Sequence, residues 1–575
     1  MKDKWECDVL LSEQEHERNL KEKSLVVGAT IVGLVAALGG FLYGYNSALA
    51  NSVLEMEFVK RKFSNNSEFT TLERALITAV LSLGSFLGAL IAPFLSNKYG
   101  RKKIIIATTA IVFTAGNSMM IAATTWKLFC GSRFISGVAV GILSVLVPIY
   151  QGEAAPKWVR GGIVFTYQWA ITWGLLIASA ICQGTQKVDR LISYRLPVGL
   201  QYLWSMFLCL GVLFLPESPR FHVTQGNLEK ALICLSQLRR LPLDDDDLIE
   251  EIVEIKANYD YEMSFGRISY LDCFRSGAGR CKQPIRMATG MGVQAFQQCS
   301  GINFIFYYGV VFFSKALITN SYLMSFVTYV INTVFSIPGI LLVDVIGRRR
   351  LLIFGGSGMC ICNLVVSIAG ATVSDVSKSG IVCLVFVNLF IAFFASSWGG
   401  AVWALSSELY SVSIRHKAMS LNAATNWLAN FICAFASPYV DKKTSNNQLK
   451  TNIMFLWTGC NFFSVVFAYF FVYETKGLRL EEIDCMYQEC PSARVSSGFQ
   501  PRRHIVDADA NQMFHDYVSP PINTNNLTIV PYLLMPEDDN PTVPEPIQKS
   551  SEFEGSISHI QKSETNDVCS SSSSA

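Results

Sequence analysis

The sequence predicts an all-α membrane protein with 12 transmembrane helices in two six-helix halves. Only 16% of its 575 residues are charged and 51% are hydrophobic, whereas about a quarter of the residues in soluble proteins are charged. Apolar stretches of about twenty residues recur along the chain, and each is long enough to cross a hydrocarbon core of about 30 Å. A polar segment at 216–286 separates the first six stretches from the last six.

The predicted spans are joined by short loops within each half. In the first half they lie at 25–49, 75–95, 104–124, 128–150, 162–183 and 197–215. In the second half they lie at 287–313, 322–343, 351–370, 381–405, 418–438 and 452–473. The chain therefore divides into a tail at 1–24, a half at 25–215, a middle segment at 216–286, a half at 287–473 and a tail at 474–575. Amphipathic, mixed-charge sequence predicts short helices in the middle segment, and Pro-, Asn- and Ser-rich composition predicts a mostly disordered C-terminal tail.

The two halves share a polar signature. NKYGRKK (Asn97–Lys103) follows the second span and DVIGRRR (Asp344–Arg350) follows the eighth, as expected of an internally duplicated transporter. Basic clusters next to helix ends share one side with the termini and the middle segment, which predicts that this side is cytosolic. Asn65 in NNS then becomes an extracellular glycosylation candidate.

Composition gives no sign of metal, cofactor or nucleic acid. The 16 cysteines are scattered without the paired spacing of a zinc site or a disulfide framework, and we expect those in apolar runs to act as small hydrophobic residues. The formal net charge of +2 gives no reason to expect nucleic acid as a partner. Nor does the sequence show a nucleophile–base pair, so we expect no enzymatic activity.

Uncharged amides interrupt the seventh span. QAFQQCSGINFIFYYG (Gln294–Gly309) contains Gln297, Gln298 and Asn303, and polar side chains at this depth usually face a cavity or the interior of the bundle. Gln298 and Asn303 point away from the helix face that holds Gln297, so a straight helix cannot direct all three at one ligand. A helix with a break near Ser300–Gly301 could direct all three at one ligand. Transporters bind their substrates at broken helices of this kind. The alternative is that these amides form hydrogen bonds between helices.

Amides and indoles together suit a neutral polyol. An amide both donates and accepts, which matches a hydroxyl group. Other polar or aromatic groups at comparable depth are Gln168, Asn332, Trp403, Asn426, Trp427 and Asn430. This chemistry favours a sugar.

The region from about 25 to 484 resembles the sugar-porter branch of the major facilitator superfamily. The matching motifs, in order, are GGFLYGYN, NKYGRK, GSRFISGVAVG, PIYQGEAAPKWVRG, PESPR, QQCSGIN, DVIGRRR, SSELYSVSIR, NWLAN and ETKGLRLEEID. The central segment is further similar to fungal high-affinity glucose transporters and glucose sensors. The resemblance implies the major facilitator fold and alternating-access transport of a hexose, glucose first, in the plasma membrane with both termini cytosolic.

The resemblance also implies roles for individual residues. The positions expected to contact the sugar are Gln168, Gln297, Gln298, Asn303, Tyr307, Asn332, Trp403 and Asn430. Those expected to form a cytosolic latch of ion pairs between the halves are Arg101, Glu153, Arg160, Glu217, Arg220, Arg348, Arg349, Glu408, Arg415 and Glu474.

Three positions depart from the family pattern. Asn46 stands where proton-coupled relatives carry Asp, and an amide cannot take up and release a proton, which favours uniport and leaves Arg133 a structural role. Asn97 replaces the usual acid, which should weaken the latch of the first half. Gly400 replaces a common Pro and could loosen the tenth span.

Alternatives to a hexose uniporter stay open. One is a glucose sensor that signals through cytosolic partners of its C-terminal tail. Another is a proton-coupled sugar symporter, and a third is a carrier for xylose or another polyol. In each case the partners are a small neutral sugar and membrane lipid.

Overall fold

Twelve helices, numbered α1 to α12 below, account for most of the residues that the computed structural model describes, which confirms the predicted fold class. The structure describes residues 2–63, 69–156, 158–186, 188, 190–263, 269–276, 281–306, 321–373, 375–443, 452–478 and 480–499. Tyr307, Asn65 and the chain beyond residue 499 lie outside these ranges.

The helices of the first half follow one another with short connections. They are α1 (Lys2–Glu55), α2 (Thr71–Tyr99), α3 (Arg101–Ala122, with a π-helical turn at Thr108–Phe113), α4 (Trp126–Ala154), α5 (Arg160–Thr185) and α6 (Ile192–Leu213). All six are long and apolar enough to cross a membrane, α1 through its segment Val26–Leu54.

Two helices of the second half are interrupted. The helices are α7 (Gln283–Gln298, resuming at 302–306), α8 (Ser321–Val345), α9 (Arg348–Thr372), α10 (Val376–Ser396, continuing as Trp398–Glu408), α11 (Val412–Lys443) and α12 (Asn452–Phe471). Four of these, α8, α9, α10 and α12, meet the same length and hydropathy criteria. The other two, α7 and α11, supply most of the amides described below.

Glycines let α2 and α4 pack with their backbones in contact. A Cβ atom added to Gly84 would lie 2.2 Å from the carbonyl oxygen of Phe134, and one added to Gly141 would lie 2.1 Å from that of Ser85. Small residues allow this close approach, and packing of this kind joins helices in lipid, where no hydrophobic effect drives them together. Gly137 of α4 makes an equally close approach, since a Cβ atom there would lie 2.2 Å from the carbonyl oxygen of Leu81.

The middle segment forms a small helical layer. Its helices, Pro219–Thr224, Leu228–Arg239 and Asp246–Met263, enclose a core of their own. Arg239 pairs with Glu251 at 2.7 Å and donates to the carbonyl oxygen of Ala154 at 2.8 Å, which attaches this layer to the end of α4.

The repeated Gly-Arg motifs begin two equivalent helices. Gly100 and Gly347 have φ angles of +91° and +97°, a region that glycine adopts without steric cost. Each precedes a helix whose first N–H groups are bound by a carboxylate, Glu217 for α3 and Glu474 for α9. A carboxylate at a helix N-terminus satisfies unpaired N–H groups and complements the helix dipole. We use the term charged end for the side of the bundle where both motifs lie.

Candidate functional site

A central cavity lies between the two halves. It contains about 590 Å³ of empty space, its open mouth included. The lining residues come from α1, α5, α7, α10 and α11 and are Tyr43, Ser47, Tyr167, Gln168, Ile171, Leu175, Gln297, Gln298, Ile302, Asn303, Phe306, Phe394, Trp403, Asn426 and Trp427. None of these lining residues carries a formal charge, so the cavity suits a neutral, polar ligand.

The predicted break in α7 is confirmed. The helix stops at Gln298 and resumes at Ile302, and Gly301 between them has a φ angle of +93°. Asn461 of α12 donates to the carbonyl oxygen of Ser300 at 3.0 Å, which satisfies a backbone group that the break leaves unpaired. A Cβ atom at Gly301 would lie 2.7 Å from the Trp457 ring, so both the backbone angle and the packing require glycine here.

The Gln297 side chain ties α7 to both α10 and α11. Its Nε2 donates to the carbonyl oxygens of Trp398 and Gly399 at 2.9 and 2.8 Å. Its Oε1 accepts from Nδ2 of Asn426 at 2.7 Å. Gln297 is only 2% exposed, and these bonds hold it in one orientation at the cavity wall.

Gln298 is also fully engaged by other amides. Its Nε2 donates to Oδ1 of Asn426 at 2.8 Å and to Oε1 of Gln297 at 3.3 Å. Its Oε1 accepts from Asn430 at 3.0 Å and from Nδ2 of Asn303. Two donors and two acceptor sites are all that one amide offers, so Gln298 would have to exchange partners to bind a ligand.

Three polar groups at the cavity keep unused bonding capacity within the described chain. The whole amide of Gln168 on α5, Oδ1 of Asn303 and Nε1 of Trp403 make no hydrogen bond there. Gln168 belongs to the first half, and the other two belong to the second. A ligand bound by all three would therefore connect the halves.

Aromatic rings form two walls of the cavity. Tyr43 meets Trp427 edge-on with ring centroids 4.8 Å apart, and Tyr167 meets Trp403 edge-on at 5.4 Å. Sequence reasoning missed Tyr43, Ser47 and Tyr167. The available signals were the position of Tyr167 beside Gln168 and the four-residue spacing that places Tyr43 and Ser47 on one face of α1.

The structure brings together five of the eight predicted sugar contacts. The cavity is lined by Gln168, Gln297, Gln298, Asn303 and Trp403. Asn430 is not among the lining residues but donates a hydrogen bond to Gln298.

Asn332 does not line the cavity in this structure, and its predicted contact with the sugar stays a prediction. It is fully buried on α8, and neither of its amide atoms has a hydrogen-bond partner in the described chain. Three residues earlier on α8, Tyr329 donates to the carbonyl oxygen of Phe306 at 3.1 Å, so α8 contacts the resumed part of α7.

Gly400 has a packing role that the sequence did not show. A Cβ atom there would lie 2.3 Å from the Phe165 ring of α5. The missing side chain thus lets α10 approach α5 closely next to the cavity, whereas we had expected Gly400 to loosen the tenth span. The interruption of α10 falls at Ser397, three residues earlier.

A first charged cluster surrounds Glu153 at the charged end. Glu153 accepts from Nη2 of Arg101 at 3.1 Å and from the hydroxyl of Ser218. Nε2 of His416, on α11 of the other half, lies 3.7 Å from Glu153 and contacts Nη2 of Arg101. Because arginine can only donate, His416 accepts through Nε2 in this contact. We had not predicted a role for His416.

A second charged cluster surrounds Glu408, which is fully buried. Glu408 accepts from Arg348 at 2.8 and 3.1 Å and from Thr475 at 2.7 Å. Arg160 of α5 donates to it at 3.2 Å, which makes an ion pair between the halves. Asp344 adds a second connection, since it pairs with Arg348 at 2.8 Å and accepts the Gly162 N–H at 2.6 Å.

Several predicted latch residues bind backbone groups. Glu217 and Glu474 accept from backbone N–H groups, and Arg349 and Arg415 donate to the carbonyl oxygens of Tyr469 and Tyr410. Each of these contacts fixes the end of a helix within its own half. Arg220 lies in the short helix Pro219–Thr224.

Asn46 and Arg133 lie in direct contact. Oδ1 of Asn46 accepts from Nη1 of Arg133 at 3.1 Å, and its Nδ2 donates to Oε1 of Gln201 at 3.0 Å. Asn46 is fully buried. An amide held between a donor and an acceptor has no proton to exchange in the physiological pH range.

Three comparisons place these features among known proteins. The family model "Sugar (and other) transporter" matches residues 32–487. The high glucose sensor RGT2 of Saccharomyces cerevisiae is 50% identical over 473 residues, which are 82% of this chain and 62% of the sensor. The chain thus spans less than two thirds of that relative's length. The "Probable glucose transporter rco-3" of Neurospora crassa is 41% identical over 488 residues, 82% of this chain and 81% of the relative.

A solved transporter shares the architecture. The proton:xylose symporter XylE bound to 6-bromo-6-deoxy-D-glucose matches with a TM-score of 0.69 and 25% identity, over 80% of this chain and 99% of XylE. The inward-open conformation of XylE from E. coli matches less closely, with a TM-score of 0.60 and 26% identity over 79% of this chain and 99% of XylE.

Proposed function

The chain belongs to the sugar transporter family, and on that premise we propose that it carries a hexose, glucose first, across the plasma membrane by facilitated uniport. The observation that carries this proposal is the uncharged cavity between the halves, lined by amides and aromatic rings from both. Amides match hydroxyl groups, and the rings offer a surface to the apolar face of a sugar ring.

The arrangement of bonded and unbonded amides supports alternating access. Gln297 and Gln298 are held in place by other groups and form a rigid frame. Gln168 on one half and Asn303 and Trp403 on the other retain capacity for the ligand. A sugar bound by both sets draws the halves together and changes the balance between the two states of the transporter.

The charged end acts as the inner gate in this proposal. We place it in the cytosol, with both chain termini, because its basic residues adjoin helix ends. For the cavity to open toward that side, the Arg160–Glu408 ion pair and the hydrogen bond from Gly162 to Asp344 must break. Closing these contacts again returns the transporter to its outward-facing state.

Asn46 supports uniport over proton symport. Its amide is held by Arg133 and Gln201 and offers no titratable carboxyl at this position. Uptake should therefore persist when a protonophore collapses the pH gradient while cellular energy is maintained. Strong inhibition under those conditions would favour the symporter.

A glucose sensor is the second candidate, favoured by the 50% identity to RGT2. A sensor would use the same cavity with little flux and would signal through cytosolic partners of its C-terminal tail. The present chain spans 62% of RGT2, so the relative has long regions without a counterpart in the match.

Uptake measurements separate the two candidates. Radiolabelled glucose uptake is measured in cells that lack hexose carriers, for the full chain and for a chain without residues 500–575. Residues 490–499 are kept because Ser496 accepts the N–H of Glu474 at 2.9 Å and so belongs to the folded unit. We expect uptake with both chains. Competition by unlabelled xylose tests the alternative that the chain carries xylose or another polyol. Surface expression without uptake by either chain would favour the sensor.

A further inference from the structure

Neutral hydrogen bonds join α11 of the second half to α2 of the first half. Oγ of Ser82 on α2 donates to Oδ1 of Asn430 on α11 at 2.8 Å. Oγ of Ser420 on α11 donates to the carbonyl oxygen of Ala89 on α2, also at 2.8 Å. Ser82, Asn430 and Ser420 are at most 1% exposed, and none of them lines the central cavity. Both bonds therefore lie inside the interface between the halves, about 10 Å apart along α2.

The Ser82 bond continues to the wall of the cavity, whereas the Ser420 bond ends on a backbone carbonyl. Nδ2 of Asn430 donates to Oε1 of Gln298 at 3.0 Å, and Gln298 lines the cavity. Because the side-chain amide of Asn430 is planar, a rotation that releases Nδ2 from Gln298 also moves Oδ1 away from Ser82. A chain of hydrogen bonds thus connects the cavity wall in the second half with a helix of the first half.

We propose that Ser82 is a positioning residue that couples occupation of the cavity to the closure of α2 against α11. Both acceptor sites of Oε1 of Gln298 are in use, one by Asn430 and one by Asn303. A sugar hydroxyl that donates to this oxygen competes with Asn430 for it, and this competition loosens the bond between Asn430 and Ser82. The inference rests on the proposed transport function, since it requires a sugar at Gln298.

Thermodynamic linkage fixes the sign of the effect. Since bound sugar loosens the Ser82–Asn430 bond, the intact bond must lower the affinity for sugar by the same factor. Removing the Ser82 hydroxyl therefore tightens sugar binding, because the bond no longer has to be given up. The same change slows turnover, because bound sugar then has less influence on the balance between the closed and open arrangements of the halves.

Calorimetric binding of glucose to the purified full chain tests this coupling. We expect Ser82→Ala to bind glucose about twofold to tenfold more tightly than the unsubstituted chain, as the loss of one neutral hydrogen bond implies. Ser420→Ala is the matched control, because its hydroxyl also joins α2 to α11 but bonds a backbone carbonyl. We expect the affinity of this control to change by less than about twofold. Unchanged or weaker binding by Ser82→Ala would overturn the proposal, as would equal tightening in Ser420→Ala.

Glucose uptake separates a coupling role of Ser82 from a structural one. At matched surface expression, we expect the Michaelis constant and the maximal rate of Ser82→Ala both to fall by about twofold to tenfold. Ser82→Cys keeps a weak donor and should give intermediate values. A lower maximal rate at an unchanged Michaelis constant would mean that the serine is only structural, which would overturn the proposal. Absence of glucose binding by the unsubstituted chain would instead overturn the proposed function, and this inference with it.

Discussion

Glu153 at the end of α4 and Glu408 at the end of α10 occupy equivalent positions in the two halves, yet their partners differ. Each stands seven residues before an arginine, Arg160 in one half and Arg415 in the other. Arg160 crosses to Glu408 and pairs with it at 3.2 Å. Arg415, by contrast, donates to the carbonyl oxygen of Tyr410 in its own half at 3.0 Å.

The residues that follow the two arginines explain part of this difference. Gly161 follows Arg160, and a Cβ atom there would lie 2.2 Å from Nη2 of Arg348. His416 follows Arg415, and its Nε2 contacts Nη2 of Arg101. A glycine thus admits a charged pair against the backbone of α5, whereas the histidine of the other half makes its own contact with Arg101 and lies 3.7 Å from Glu153.

The acids of the two repeated motifs differ as well. Asp344 joins the second cluster to the Gly162 N–H, but the equivalent Asn97 is exposed and carries no charge. The Glu408 cluster is therefore the more strongly ionic connection between the halves. We infer that the Glu408 cluster contributes more than the Glu153 cluster to closure of the charged end. The following substitutions test this difference.

Removing the charge of Glu408 should have the largest effect. Glu408→Gln removes the carboxylate that Arg348 and Arg160 share and leaves Arg348 only its pair with Asp344, and breaking a buried ion pair costs about 3–5 kcal/mol. Glu153→Gln is the matched control. It removes the carboxylate of one buried arginine rather than of two, so we expect a smaller loss of stability. Thermal unfolding of the purified variants measures the loss of stability in each. Equal losses would contradict the inferred difference between the two clusters.

Adding one methyl group at Gly161 should have the next largest effect. Gly161→Ala forces Arg348 or Asp344 to move, and overpacking of this kind typically costs about 1–3 kcal/mol. We expect the charged end to open more readily, which raises the Michaelis constant for uptake relative to that for efflux. Gly199→Ala, where an added Cβ meets no atom within 4 Å, serves as the control. Identical uptake and efflux constants in both variants would show that the close approach does not matter.

Copying the second cluster onto the first should produce the smallest change. In the double variant Asn97→Asp with His416→Gly, the first half receives the acid and the small residue that the second half has. We expect a modest shift toward closure of the charged end, because exposed charges interact weakly. A slower glucose efflux at unchanged surface expression would agree with this expectation. Faster efflux would mean that His416 is itself the more stabilising partner of Arg101.

Sequence patterns within single segments predicted much of the fold and part of the candidate site. Span lengths predicted the helices, and the positions of Gln297, Gln298 and Asn303 around a helix predicted the break at Gly301. Asn332 has the same residue type and depth as the cavity amides, yet it lies outside the cavity. The difference lies in how α8 packs against its neighbours, and contacts between distant segments do not follow from local sequence.

The same limit applies to the charged end. The sequence showed which residues are charged but not that Glu217 and Glu474 bind backbone N–H groups. Nor did it show that His416 meets Arg101 across the halves. Internal repetition marked the equivalent positions, and the structure showed how their partners differ.

The central claim is that the uncharged cavity binds a hexose through the unbonded amides of both halves. Calorimetric binding of glucose to the purified full chain and to Gln168→Ala tests it most directly. Asn117→Ala is the control, since this buried amide of α3 lies outside the cavity and makes no hydrogen bond in the described chain. We predict weaker binding of about 1–2 kcal/mol for Gln168→Ala and unchanged affinity for Asn117→Ala. Equal affinity of Gln168→Ala and the unsubstituted chain would contradict the account.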